Sequence, residues 1–233
     1  IQRADAAYIN RAIEREKLAM DPVTPLYDAN DVARMLEQTF SIPYRKRHTI
    51  AKGVTLTFFD AGHVLGSAIS ALDIEEEGKT KRLIFTGDLG RKHIPILRDP
   101  EVPPGGHILI TESTYGNRLH KPIDAMSEEL ASVITRTVAR GGKVVIPSFA
   151  LERAQEIVFS LKDLRRRGRI PSVPVYVDSP LTVKVTDVFK LHPECYDDET
   201  RSQITGEDSP FEFDELRYIS DEEDTKAIDA SPD

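Results

Sequence analysis

The stretch GVTLTFFDAGHVLGSAISALDI, residues 53 to 74, carries the reading of the fold. Apolar and β-branched residues alternate through GVTLTFF, which predicts a strand over 53–59, and SAISALDI predicts a second over 67–74. Between them Asp60, Ala61, Gly62 and His63 form a tight bend, and Gly66-Ser67-Ala68 leads back into apolar residues. Gly78 marks a hairpin turn into a third strand, RLIFTG at 82–87, and GHILITES at 106–113 predicts a fourth. With the first three strands running up, down and up, and the fourth parallel to the third, three polar residues finish at one sheet edge. These are His63, Asp88 in FTGDLGR, and Glu112 in ILITESTYG. Taken singly, His63 and Asp88 read as ordinary turn residues, and Glu112 as an ion-pair or capping residue. Together they have the character of a metal site, which needs imidazole and carboxylate donors about 2 Å from a cation on rigid supports.

Outward from this meander the texture changes. Residues 2–19 have helical spacing until Pro22 and Pro25, and a short helix is predicted over 29–39, capped by Asp28 or Asn30. After Lys121, helix and strand alternate: helix 124–140, strand KVVIPSF 143–149, helix 152–168, strand PVYVDS 174–179 and helix 181–191. That order is βαβ-like and predicts a parallel layer. The organisation expected is one portion over 1–118 and a second over 119–233. Ser220 and Glu223 have capping-box spacing for a further helix.

The composition, 39% hydrophobic and 30% charged, is that of a globular chain, and no run approaches the ~18 apolar residues of a membrane span. One cysteine, Cys195, excludes an internal disulfide, fits a reducing compartment and leaves His and carboxylates as metal donors. A cytoplasmic protein is expected. The net charge of −8 is uneven: residues 194 to 233 hold 15 acidic and 3 basic side chains, leaving 28 basic and 24 acidic in the rest. The acidic balance therefore sits in the C-terminal segment and keeps a polyanionic partner in play.

The motifs DAGHVLGSA, FTGDLGR and ITESTYGNRLH, followed by VVIPSFALERAQEI and VYVDSPLTVKVTDVF, resemble successive motifs of the metallo-β-lactamase-fold RNA-processing nucleases of the β-CASP branch. YINR and PLYDANDV extend the likeness towards the N-terminus. The resemblance implies an α/β fold: part of a metallo-β-lactamase αββα sandwich followed by the first part of a Rossmann-like β-CASP domain. It implies a zinc-dependent hydrolase cleaving RNA phosphodiester bonds, with two zinc ions in the intact protein. His63 would be a zinc ligand, Asp88 a bridging carboxylate, and Glu112 an acid orienting a downstream histidine. A non-catalytic RNA-binding scaffold or a DNA nuclease of the same superfamily are the alternatives, and a homodimer stays open.

The departures from that pattern shape the expectation. The family's H-x-H-x-D-H motif has no counterpart among His48, His63, His93, His107, His120 and His192. Both ends read as cut, so the chain is expected to be a portion of a longer protein, inactive alone and weak in zinc binding. For substrate contact, Ser148 and Ser179 end predicted strands, and Arg165 and Arg166 lie in the basic run KDLRRRGR. The competing readings are helix capping for the serines and, for the arginines, cations favouring a helix C-terminus. Tyr115 is a candidate base platform or a packing residue.

Overall fold

The computed structural model describes residues 2–205 and 209–220, together with 225, 226 and 228. The chain divides into two compact units, 1–43 and 44–233.

In the first unit, α1 (Gln2–Glu16) and α2 (Ala29–Leu36) flank the proline-containing turn. The Asn10 side-chain amide bonds both the N–H and the C=O of Val23, at 2.7 and 3.0 Å, and so ties that turn to α1. Asp28, one of the two candidate caps, bonds the amides of Asn30 and Asp31, and the Asp31 carboxylate answers with a bond from the Asp28 amide. This reciprocal box satisfies donors that the first helical turn leaves unpaired.

The second unit opens with a five-stranded sheet in sequential order: β1 (His48–Ala51), β2 (Val54–Asp60), β3 (Ala68–Glu76), β4 (Lys79–Phe85) and β5 (Ile108–Ile110). Strands β1 to β4 pair antiparallel and β5 joins β4 in parallel. Register between β3 and β4 is pinned where Asp73 faces Arg82, whose guanidinium makes two bonds to the carboxylate, of 2.7 and 2.9 Å. One face of the sheet buries Ile69 and Ile84 with Ala61, and Phe59 and Leu89 pack against them.

Downstream lie α3 (Ile123–Val138), α4 (Arg153–Arg166), β6 (Val175–Asp178), α5 (Pro180–Leu191), α6 (Asp198–Thr205) and β7 (Leu216–Ile219). β6 and β7 form a two-stranded parallel sheet. Ala131 and Ile134 of α3 bury against Leu161 and Leu164 of α4 and against Ile170. A second cluster joins Ile96 and Leu97 to Phe189, Tyr196 and Phe211. The position expected as a division, 118/119, lies within the second unit, and this cluster holds residues from both sides of it.

The α/β class agrees with the expectation, and two local corrections follow. KVVIPSF forms no strand: no described segment makes a ladder with it, and Val145 and Phe149 are more than four-fifths exposed. A strand is stabilised by its cross-strand neighbours, so apolar alternation without a partner is not enough. Conversely, α6 and β7 lie among the acidic residues that follow 193, where no element was expected before Ser220. The helix expected from Ser220 and Glu223 lies outside the described residues. Among the described residues no helix is long and apolar enough to cross a membrane.

Candidate functional site

The ladder settles the direction of the rim. β2 and β4 are each antiparallel to β3, and β5 is parallel to β4, so β2, β4 and β5 all end at the same edge. His63, Asp88 and Glu112 follow those three ends. His63 Nε2 lies 3.9 Å from Asp88 Oδ2, with both side chains open to solvent.

Backbone geometry explains the glycines beside these residues. Gly62 has φ +57° and runs so close to the 98–100 segment that a Cβ would stand 2.6 Å from the Arg98 carbonyl oxygen. A Cβ on Gly90 would stand 1.6 Å from the Gly62 carbonyl oxygen. No side chain fits either place, and the contact is sealed by the Gly90 amide donating to the Ala61 carbonyl at 2.9 Å. The turn bearing His63 and the loop bearing Asp88 are thus pressed together through two glycines.

Each loop is also braced internally. Ser67 Oγ accepts from the amides of His63 and Val64, and the Asp60 carboxylate accepts from the Gly62 amide. Burial raises the Asp60 pKa, against the lowering effect of that amide and of Arg98. Tyr44 donates its hydroxyl to the Ser67 carbonyl at 2.8 Å. Glu112 Oε1 accepts from the Leu89 amide at 2.8 Å, next to Asp88. That bond, then the Thr114 hydroxyl, holds the Glu112 carboxyl below the usual range, with His63 adding a smaller effect. Glu112 therefore supports the Asp88 loop from behind.

An imidazole nitrogen and a carboxylate oxygen 3.9 Å apart can both approach one cation at about 2 Å. Among the described residues no group of three or more His, Cys, Asp or Glu side chains gathers to hold a metal. His63 and Asp88 fit a metal ion as one pair of donors, short of the four ligands of a closed zinc site.

The remaining candidates take local roles. Ser179 is the N-cap of α5, its hydroxyl accepting from the Thr182 amide. Ser148 is exposed in the irregular segment between α3 and α4. Arg165 reaches Glu215 at 2.8 Å, while Arg166 and Arg167 both reach Asp163. Arg165 and Arg166 line an open depression of about 850 Å³ whose wall also carries Glu212, Asp214 and Glu215, so its charge is mixed. Half-exposed Tyr115 has the Arg118 guanidinium 4.6 Å from its ring centre and the His120 ring centre at 4.5 Å, with the two rings edge-on.

One residue escaped the sequence reading. Glu152, the first residue of the helix predicted over 152–168, is 5% exposed and has φ +65° and ψ −59°. Such a backbone costs an L-residue about 1–3 kcal/mol. Its Oε2 accepts from the Leu65 amide at 3.2 Å, two residues past His63, while Oε1 is buried without a partner among the described residues. Burial, then the neighbouring Glu156, pushes its pKa up to about 8. Burial also raises Glu156, which pairs with Arg153. The available signal was spacing: 152, 155 and 156 share a helix face with Phe159, which packs on the core.

Comparison with known proteins gives a consistent picture. Residues 154–233 match the Beta-Casp domain model. Over 230 residues the chain is 30% identical to Ribonuclease TTHA0252 of Thermus thermophilus, covering 99% of this chain and 51% of that protein. It is 36% identical to Transcription termination factor FttA of Methanosarcina mazei, over 76% of this chain and 28% of the relative. It is 34% identical to Cleavage and polyadenylation specificity factor subunit 3 of Dictyostelium discoideum, over 83% of this chain and 24% of the relative. The chain thus spans about half the length of the first of these and about a quarter of the others.

Proposed function

Because the chain belongs to the β-CASP family of RNA-processing nucleases, we propose that the whole protein is a zinc-dependent hydrolase that cleaves RNA phosphodiester bonds. The observation that carries this reading is the convergence of His63 and Asp88, 3.9 Å apart at the edge where β2, β4 and β5 end. The relatives' names supply the substrate class: a ribonuclease and a cleavage and polyadenylation factor subunit.

In this reading His63 and Asp88 hold metal, and Glu112 keeps Asp88 in place through the Leu89 amide. Bound zinc supplies an acidified water and neutralises charge on the phosphodiester. The chain's own contribution is rigidity: two glycine-packed loops present the donors with little freedom to lose on binding metal. A single cysteine in 233 residues supports a cytoplasmic setting. With two donors in reach of each other, the 233-residue chain by itself is expected to bind zinc weakly and to leave RNA intact.

The test is cleavage of end-labelled RNA and of matched single-stranded DNA by the whole protein, with zinc and with a chelator. Chelation and Asp88→Ala should each reduce RNA cleavage at least about a hundredfold. Cleavage that survives both would overturn the metal assignment. RNA binding without cleavage would favour a scaffold, and preference for DNA would replace the substrate.

A further inference from the structure

We propose that Glu152 is a positioning residue, which fixes the turn carrying His63 by accepting a hydrogen bond from its tip. The inference rests on His63 serving as a metal ligand, and it adds the N-cap residue of α4 to a site otherwise built from the sheet rim.

Three features of Glu152 are unfavourable where it stands. Its carboxyl is buried, its nearest acid is Glu156, and its backbone occupies the left-handed region. The carboxyl does nothing for α4: the Glu152 carbonyl accepts the Glu156 amide, but as the N-cap residue its side chain makes no cap. A residue chosen for the helix would be an exposed Ser, Asp or Asn bonding the first-turn amides. Among the described residues, the hydrogen bond that the Glu152 carboxylate accepts comes from the Leu65 amide, 87 residues earlier.

That amide is where an outside acceptor matters most. Within the turn, Ser67 Oγ takes the His63 and Val64 amides, the Val64 carbonyl takes the Ser67 amide, and Asp60 takes the Gly62 amide. Leu65 at the tip reaches outward instead, its N–H to Glu152 and its side chain against the Ile96, Phe189 and Tyr196 cluster. The bond closes the brace: β2 and Ser67 hold the base of the turn, and α4 holds its apex. Strained residues held by their surroundings concentrate at functional sites, which is where this one lies.

Two variants in the whole protein separate positioning from bulk stability. Glu152→Gly removes the acceptor and relieves the backbone, so its melting temperature should equal or exceed the parent's. Hydrogen exchange in a peptide covering 60–68 should nevertheless accelerate about tenfold, and zinc affinity, titrated against a chromophoric chelator, should fall about tenfold. Glu152→Gln keeps an acceptor oxygen and should restore both to within about twofold. Unchanged exchange in the glycine variant, acceleration spread equally over the sheet, or a glutamine variant matching glycine would each overturn the proposal. Parent protein that binds no zinc would defeat the metal reading instead, and the exchange measurement would still decide the role of Glu152.

Discussion

Replacing Glu152 by Gln should remove a pH-dependent loss of stability between pH 5 and 8. Unfolded, a glutamate releases its proton near 4.5, whereas in the fold burial and Glu156 hold the Glu152 proton until about pH 8. A raised carboxyl pKa means that its contribution is complete below about 4.5 and is lost as pH rises through about 8. The 3.5-unit gap between those values, at about 1.4 kcal/mol per unit, sets a ceiling of about 5 kcal/mol. Relaxation of the surroundings and entry of water once the carboxyl ionises bring the observable difference to about 2–3 kcal/mol. The charged groups around it are Glu156, raised in the same sense, and Arg153, which opposes it, while Arg91 acts on Glu156. Tyr196 stays neutral across the window because burial raises its pKa further. The glutamine variant should therefore keep a residual slope from Glu156. Denaturant unfolding of zinc-free protein at pH 5, 6, 7 and 8 measures the effect. The parent should lose stability relative to the variant at each step. Parallel curves, or a parent that gains on the variant with pH, would refute a buried protonated carboxyl.

Gly90→Ala should cost about 3 kcal/mol or more in the same unfolding assay, since its Cβ must displace the Gly62 carbonyl, 1.6 Å away, and break the Gly90 to Ala61 bond. Stability like the parent's would mean the two loops are not pressed together as described. Replacing Arg165, Arg166 and Arg167 together by Ala should leave the salt dependence of RNA binding, read by fluorescence anisotropy, unchanged within about one unit of slope. Glu215 and Asp163 already engage these guanidinium groups, and a slope reduced by two or more would restore them as phosphate contacts.

What could be read from the sequence was governed by short-range physics. Alternation in GVTLTFF and SAISALDI, with glycines at 62, 66 and 78, specified an antiparallel meander, and the rim of His63, Asp88 and Glu112 followed from strand direction. Helices α3, α4 and α5 were legible from periodicity, with ends within a few residues of those expected. KVVIPSF misled because its alternation is strand-like while pairing depends on a neighbour, and none of the described segments supplies one. The short edge strand β1 escaped for the opposite reason: HTIA has little pattern of its own and is held by β2. Likewise β7 sits among acidic residues, and its pairing with β6 is what makes LRYI a strand.

The same distinction governs the site. Glycine at 62 and 90 could be noticed in the sequence, but only the fold shows each filling the space that the other's loop leaves. Glu152 is the harder case. A glutamate opening a helix has one sequence signature whether it faces water, where it favours the macrodipole, or faces another loop. Its left-handed backbone is equally silent, because no local residue demands it. What distinguishes the two situations is a partner 87 positions away, the Leu65 amide, together with the core that closes over both. The rim of His63, Asp88 and Glu112 is thus readable from strand direction, while a residue that bonds the tip of the His63 turn becomes visible only when chain-distant surfaces meet.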